Sequence, residues 1–321
     1  MHAKPSNKPA IAVAGHLVYD EIVFPDGSST SAFGGISYNL AALCAIMRDG
    51  RLIPVCEIGS DKRRVFDRAF ETCAVLDKSL ISETTLPNVV NRLVYDREGR
   101  RKEWNSRKPE PLSLERIPGS IDALLMNFIS GDDVTPGDLR LFRNRFEGII
   151  YIDFHSLALG RLPNGGRDYR YNPSWRDYVS PADILQLNMA ELSTITGERY
   201  CDPEAIASAC KIIHECGPAN IIVTMGRGGI IVSVESGSHA HLIPSLKISS
   251  EVDSTGCGDT VAAITLYRYL GSMDIIDSVI EASRWAAAKA SFTGLEGFKW
   301  IENILENIGP SPKPMKIQTI S

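Results

Sequence analysis

Val252-Asp253-Ser254-Thr255-Gly256-Cys257-Gly258-Asp259-Thr260-Val261-Ala262-Ala263 joins a glycine-rich turn to the start of a long apolar helix. Gly256 and Gly258 bracket Cys257, so the backbone can turn tightly and aim successive N–H groups at one point. The helix that follows adds the positive end of its dipole. Such a point suits a phosphoryl group in transfer. Asp259 is unexpected there, because a carboxylate repels the anion. Two readings account for it: a general base for an attacking hydroxyl, or a helix N-terminal carboxylate that favours the dipole. Cys257 places a thiol at a helix N-terminus, a setting that lowers its pKa and raises its reactivity. A buried, inert cysteine is the alternative.

With 321 residues the chain is long enough for one large α/β domain or two smaller ones. A net charge of −5 gives no general attraction to nucleic acid or to an anionic membrane, so neither partner is expected. No apolar run reaches the roughly 18 residues of a spanning helix, and the first ten residues lack the apolar centre of a signal peptide. A cytoplasmic location is the expectation. The seven cysteines (44, 56, 73, 201, 210, 216 and 257) are odd in number and contain no C-x-x-C pair. They predict neither a disulfide framework nor a zinc site, and most read as reduced, buried small hydrophobes.

Ile11 to Gly15 reads as a buried first strand, with Asp20 just past its end as either a ligand-binding or a turn residue. Residues 21–33 read as a hairpin about Asp26-Gly27. Gly34 and Gly35 then open a helix of small residues carrying Asn39, which could bond substrate hydroxyls or satisfy local backbone. A strand (52–58) and a helix (62–75) give a βαβα rhythm. It breaks at residues 88–105, which read as two strands about a polar turn at 97–100, all in antiparallel style. Together with 21–33 these form a small sheet, the usual composition of a lid. It is rich in cations, among them Arg92, Arg97, Arg100, Arg101, Lys102, Arg107 and Lys108, which read mainly as a solvated face. From Ile121 the alternation of strand and helix resumes, which means right-handed crossovers and a mostly parallel sheet.

Asn188 and Glu191 stand one helical turn apart where a strand meets a helix. They could organise hydrated magnesium and phosphate oxygens or form an N-terminal capping box, which the spacing alone favours. Thr224-x-Gly226-x-x-Gly229 lies between two β-branched strands, so it is not the dinucleotide fingerprint, which leads from a strand through glycines into a helix. A nicotinamide dehydrogenase is excluded on that ground. His239 and His241 share a strand face without a third ligand, which gives no metal site.

Gly34-Gly35 with Asn39, Asn188 with Glu191, Thr224-x-Gly226-x-x-Gly229 and Asp253-x-x-Gly256-x-Gly258-Asp259 follow one another in an order that resembles the ribokinase-like carbohydrate kinases, the PfkB family, from about Ile11 to Gly294. The resemblance implies a doubly wound, mostly parallel α/β sheet flanked by helices with a small β lid, as one kinase domain over 1–321. It implies ATP-dependent phosphorylation of a hydroxyl on a sugar or nucleoside, with Mg2+ and room for a monovalent cation such as K+. Asp259 then resembles the catalytic base, and Gly256, Cys257 and Gly258 the anion hole. Asp20, Gly35 and Asn39 fall at substrate positions, and Asn188 with Glu191 at the magnesium and phosphate positions. Thr224, Gly226 and Gly229 fall along the nucleotide. Cys257 stands where the family usually has Ala, Val261 and Ile264 where it usually has Phe and Gly, and Gly59-Ser60-Asp61 runs into Lys62-Arg63-Arg64 without the usual second glycine.

Phe24, Phe33, Tyr38 and Trp104 could stack on a nucleobase, whereas the lid arginines would suit an acid sugar. A non-catalytic sugar or nucleotide sensor is the rival from another class, and it would need neither Asp259 nor the Asn188 and Glu191 pair. An open lid sheet also presents an association surface, so a homodimer is expected.

Overall fold

A computed structural model describes residues 8–97, 101–234, 237, 239–248 and 251–317. The expected polar turn at 97–100 lies outside the described residues from 98 onward, Arg100 included.

The first half of the chain runs β1 (Ala10–Ala14), β2 (Tyr19–Val23), β3 (Ser29–Phe33), α1 (Ser37–Ile46), β4 (Arg51–Gly59), α2 (Arg63–Ala69), β5 (Ile81–Thr84), β6 (Val90–Tyr95) and β7 (Arg101–Asn105). The second half alternates: β8 (Ala123–Asn127), α3 (Pro136–Asn144), β9 (Ile149–Asp153), the hairpin of β10 (Leu159–Arg161) and β11 (Arg167–Tyr169), α4 (Trp175–Val179), β12 (Ile184–Asn188), α5 (Met189–Thr196), α6 (Pro203–His214) and β13 (Asn220–Thr224). After it come β14 (Ile230–Val234), β15 (His239–Ile243), α7 (Cys257–Ser272), α8 (Ile275–Lys289), α9 (Ile301–Asn307) and β16 (Met315–Ile317).

Helix starts follow local chemistry. Thr135 and Asp138 form a capping box before α3 with Pro136 at its first turn, and Asp202 and Asp274 cap α6 and α8. α7, like α1, α2, α4 and α9, begins without a side-chain cap: its N-cap is Gly256, which has no side chain to satisfy the first amides.

The large sheet has the order β16-β15-β14-β13-β12-β9-β8-β1-β4-β5. From β5 to β13 every pairing is parallel, and β14 to β16 add antiparallel strands at one edge. Alternation along β1 explains the layers. Ile11 and Val13 join the core under α1, α7 and α8, while Ala12 and Ala14 join the core under α3 to α6. Strands buried on both sides read as apolar runs, as β8 and β9 do up to their last residues. The doubly wound, mostly parallel fold read from the sequence is the one observed.

Two expectations change. The small sheet, order β3-β2-β6-β7, is not wholly antiparallel, because β2 pairs with β6 in parallel. The connection from β3 to β6 travels through α1, β4, α2 and β5, long enough for a crossover, which two adjacent hairpins would not need. Cys44 and Cys73 are joined in a disulfide, pinning the end of α1 to the loop after α2. That loop begins at Phe70, so α2 stops at Ala69 and does not run on to Val75. Among the other cysteines, Cys56 and Cys210 are the buried small hydrophobes expected.

Candidate active site

Four neighbouring parallel strands each end in a polar residue after an apolar run: Asn127 on β8, Asp153 on β9, Asn188 on β12 and Thr224 on β13. Register sets Asn127 beside Asp153 and Asn188 beside Thr224. All four therefore line up along the carboxyl edge of the sheet, where open α/β sheets bind ligands. A cleft of about 480 Å³ runs over this edge. The small sheet supplies Asp20, Asn91 and Glu103 to it, the 256–258 turn and Asp259 lie over the centre, and Thr224, Gly226 and Gly229 lie beyond β12.

The turn before α7 is held from several directions. Gly256 has φ of 83°, and a Cβ there would stand 2.3 Å from the Tyr38 ring, so only glycine fits. The Cys257 N–H donates to Ser254 O at 3.2 Å, so that amide is engaged within the turn. Gln186 Nε2 donates to Gly258 O (3.0 Å) and to Asp153 Oδ2 (3.1 Å), while Tyr151 donates to Gln186 Oε1 (2.8 Å). The turn is thereby tied to the sheet beneath it.

Asp259 Oδ1 accepts from Asn127 Nδ2 at 2.6 Å. Asn39 donates to the Asp259 carbonyl (2.9 Å), and its own Oδ1 accepts from Asn127 (2.9 Å). Asn39 is wholly buried and does not line the cleft. In this structure its side chain is engaged with Asp259 and Asn127. Burial raises the Asp259 pKa above the usual carboxylate value, opposed by His155, Asn127 and Lys289. Such a carboxylate can hold a hydroxyl proton at neutral pH more readily than a solvated one.

Asn188 and Glu191 form the capping box of α5. Asn188 accepts from the amides of Ala190 and Glu191, and Glu191 accepts from the Asn188 amide at 2.8 Å. Sequence reasoning missed His155, which follows β9 at φ of 31°, a conformation rare for a residue with a side chain. Its Nδ1 lies 3.7 Å from Glu191 Oε1. Burial disfavours its charged form, but Glu191, Asp153 and Asp259 outweigh burial and hold its pKa at about 9. Asp153 itself is pushed well above the usual range by burial, with Asp259 and Glu191 adding to the push. Three carboxylates thus meet one imidazolium, a balance that a divalent cation would improve. Among the described residues no three His, Cys, Asp or Glu side chains form a metal cage. With Glu191 engaged in its capping box, the donor set fits a hydrated magnesium carried on phosphate oxygens.

For Cys257 the sequence leaves a reactive thiol and a buried, inert one both open. Its thiol donates to Ala286 O at 3.4 Å, and burial pushes its pKa up to about 12, against the attraction of Lys289. Desolvation wins over the helix terminus, so the inert reading holds.

At the end of the cleft beneath the small sheet, Asn91 Nδ2 donates to Asp20 Oδ1 at 3.1 Å, and Arg167 pairs with Glu103 at 3.1 Å with both side chains nearly buried. Arg167 was not foreseen. It comes from β11, whose hairpin meets the small sheet through a bridge between Gly166 and Trp104. Of the cations singled out in the small sheet, those whose side chains are described stay out of the cleft: Arg92, Arg97 and Lys102 are exposed, Arg107 pairs with Glu57, and Lys108 pairs with Asp132. Phe33 is buried edge-on against Tyr19 and Phe66, and Phe24 stacks on Tyr95. Neither is offered for base stacking, whereas Tyr38 lines the cleft.

A doubly wound sheet with a cleft over its carboxyl edge is the frame of a small-molecule-binding α/β protein. The family model for pfkB family carbohydrate kinases matches residues 162–298. The chain is 26% identical to the cytidine kinase of Thermococcus kodakarensis over 81% of its own length and 88% of that protein. It is 32% identical to the ribokinase of Arabidopsis thaliana over 40% of its length and 32% of that protein. Among solved structures, a pyrophosphate-dependent kinase in the ribokinase family, complexed with a pyrophosphate analog and myo-inositol, superposes with a TM-score of 0.75 at 19% identity, over 93% of this chain and 100% of that one. Arabidopsis thaliana ribokinase complexed with ribose and ATP gives 0.72 at 18%, over 93% and 99%. Residues 162–298 match the carbohydrate-kinase family, the fold of the whole chain is that of the ribokinase-like structures, and the chain is a phosphotransferase with an alcohol group as acceptor.

Proposed function

We propose that this kinase transfers the γ-phosphoryl group of ATP to a hydroxyl of a neutral sugar, free or within a nucleoside, with Asp259 as the base. The observation that carries the reading is Asp259 oriented by Asn127 at the uncapped start of α7, inside the cleft that also holds Asp20 and Thr224. Asp259 would take the hydroxyl proton as the oxygen attacks, and the Gly256 and Gly258 amides would stabilise charge on the phosphoryl oxygens. Asp20 and Gly35 would bind the acceptor, with Asn91 beside them.

Asn188 and Glu191 would hold a hydrated magnesium, which neutralises charge on the β- and γ-phosphates when bound. Thr224, Gly226 and Gly229 would follow the nucleotide. Its adenine has a slot built from Ile243, Pro244, Ala286 and Ala287, apolar surface that a purely inorganic donor would leave unused. The substrate end favours a neutral acceptor, because its two carboxylates, Asp20 and Glu103, repel an acid and its Arg167 is already paired with Glu103.

We place the enzyme in the cytoplasm as a homodimer of single-domain subunits. A reducing cytoplasm would keep Cys44 and Cys73 as thiols. Among the described residues no helix is long and apolar enough to cross a membrane. A panel of sugars and nucleosides assayed for ADP release, ribose and cytidine first, tests the assignment. Turnover of a neutral acceptor is expected; nucleotide binding without turnover of any acceptor would favour the sensor.

A further inference from the structure

Lys289 is the last residue of α8, and none of its side chain reaches solvent. Removing an ammonium from water is unfavourable unless other groups replace its hydration. Here carbonyl oxygens do so: Nζ lies 3.0 Å from Phe292 O and 3.4 Å from Asp253 O, with Asp253 Oδ2 at 3.9 Å. The rings of Phe292 and Tyr38 face it at 5.0 and 5.5 Å. Asp253 Oδ2 is buried and accepts no hydrogen bond, so the nearby ammonium is what balances its charge. Burial pulls the Lys289 pKa down, while Asp253, Cys257 and Asp259 pull it back up.

The contacts converge on the entry to the anion-facing turn. Asp253 Oδ1 accepts the Thr255 N–H at 2.9 Å, and the amides of Val252 and Asp253 both donate to Ala290 O, at 2.7 and 3.1 Å. Backbone carbonyls and a carboxylate around a dehydrated positive charge are the donor set that binds an alkali cation. The monovalent cation implied by the family resemblance therefore does not fit beside this turn, because Lys289 already uses those oxygens.

We propose that Lys289 is a built-in cation that orders residues 253–258 in place of a bound monovalent ion, so that nucleotide binding is independent of K+. Only its extension to phosphoryl transfer rests on the kinase reading above. Lys289 is thus a positioning residue: it touches neither nucleotide nor acceptor and acts through Asp253.

The test exchanges KCl for tetramethylammonium chloride at constant ionic strength and reads ADP affinity by calorimetry and Tm by scanning. Neither readout needs an acceptor. For the parent protein, K+ is expected to leave Tm unchanged and to alter ADP affinity by less than about threefold; a larger gain in affinity, or a Tm that rises with K+, overturns the proposal. Lys289→Ala is expected to bind ADP at least about tenfold more weakly in tetramethylammonium and to recover on adding K+. A folded Lys289→Ala that binds ADP like the parent in both salts, or that K+ fails to help, overturns it as well. A merely structural lysine would produce no such cation dependence. If Lys289→Ala does not fold, the parent titration decides alone. A parent that binds ADP indifferently to K+ but phosphorylates no acceptor would contradict the kinase reading and leave the cation assignment standing.

Discussion

Asn39 and Asp259 are 220 residues apart in the chain, yet one side chain and one carboxylate share Asn127 between them. Sequence marks Asn39 as a polar residue in an apolar helix but cannot say what it faces. Its partners are supplied by strand order, which no local pattern contains. Asn127 had a readable signal, a polar residue closing the apolar run Ala-Leu-Leu-Met, shared by Asp153 at the end of Ile-Ile-Tyr-Ile. Asn127→Ala should lower kcat by about tenfold or more, as expected for a lost charge-assisted hydrogen bond. Because Asn127 holds the Asp259 pKa down, its removal should also move the acid limb of the kcat/KM profile to higher pH. A pH–rate series measures both, and an unmoved limb would contradict the contact's role. For Cys257 position alone leaves a reactive and an inert thiol both open, and burial, which raises its pKa, favours the inert one. Iodoacetamide should modify exposed Cys201 well before Cys257 and leave activity intact, which peptide mapping alongside the assay would check.

At the scale of elements, the long apolar alternation was legible because period and punctuation both act locally. The β10 and β11 hairpin was not, since its three-residue strands are too short to carry a period. What holds the loops above the sheet is likewise invisible in sequence. His16, after β1, places Nδ1 2.9 Å from the buried carboxylate of Asp133, after β8, and its Nε2 reaches Glu110 O at 2.9 Å. Burial would raise the Asp133 pKa, but His16 and the backbone amides of His16 and Ser130 outweigh it and hold the carboxyl at about 2. Burial opposes charging of His16, yet Asp133 raises its pKa above the ordinary histidine value. Both shifts stabilise the fold, but their pH dependences run in opposite directions. The Asp133 contribution is complete above the unfolded carboxyl value, near pH 4, and is lost as pH falls toward 2. The His16 contribution is complete below about pH 6.5 and is lost as pH rises through its raised folded value. Tm should therefore be highest between about pH 4 and 6.5 from this pair. Asp133→Asn should remove about 3–5 kcal/mol and flatten both limbs in a thermal melt series.

At the scale of the molecule, the doubly wound sheet and the small sheet over its carboxyl edge could both be read from the order of elements. How the small sheet is used could not. Its Ile22 and Leu93 are already buried within the chain, and Asp20, Asn91 and Glu103 face the cleft. What remains for association is the open edge of β3, which pairs on one side with β2. A homodimer joined there should sediment as such at micromolar concentration without ligand, and a monomer would remove that assignment. In the reaction proposed, one carboxylate would take a proton while an anion is held beside it. Asp259→Asn keeps the shape and a hydrogen-bonding oxygen but removes the base. It should lower kcat by about 10²–10⁴-fold with ATP affinity nearly unchanged. If Asp259 merely favoured the α7 dipole, the same change would cost about 0.3–1 kcal/mol of stability and spare kcat. The decisive measurement is the single-turnover rate of purified Asp259→Asn with an acceptor that the parent phosphorylates: a loss of that size with ATP still bound is predicted, and turnover near the parent rate would contradict the account.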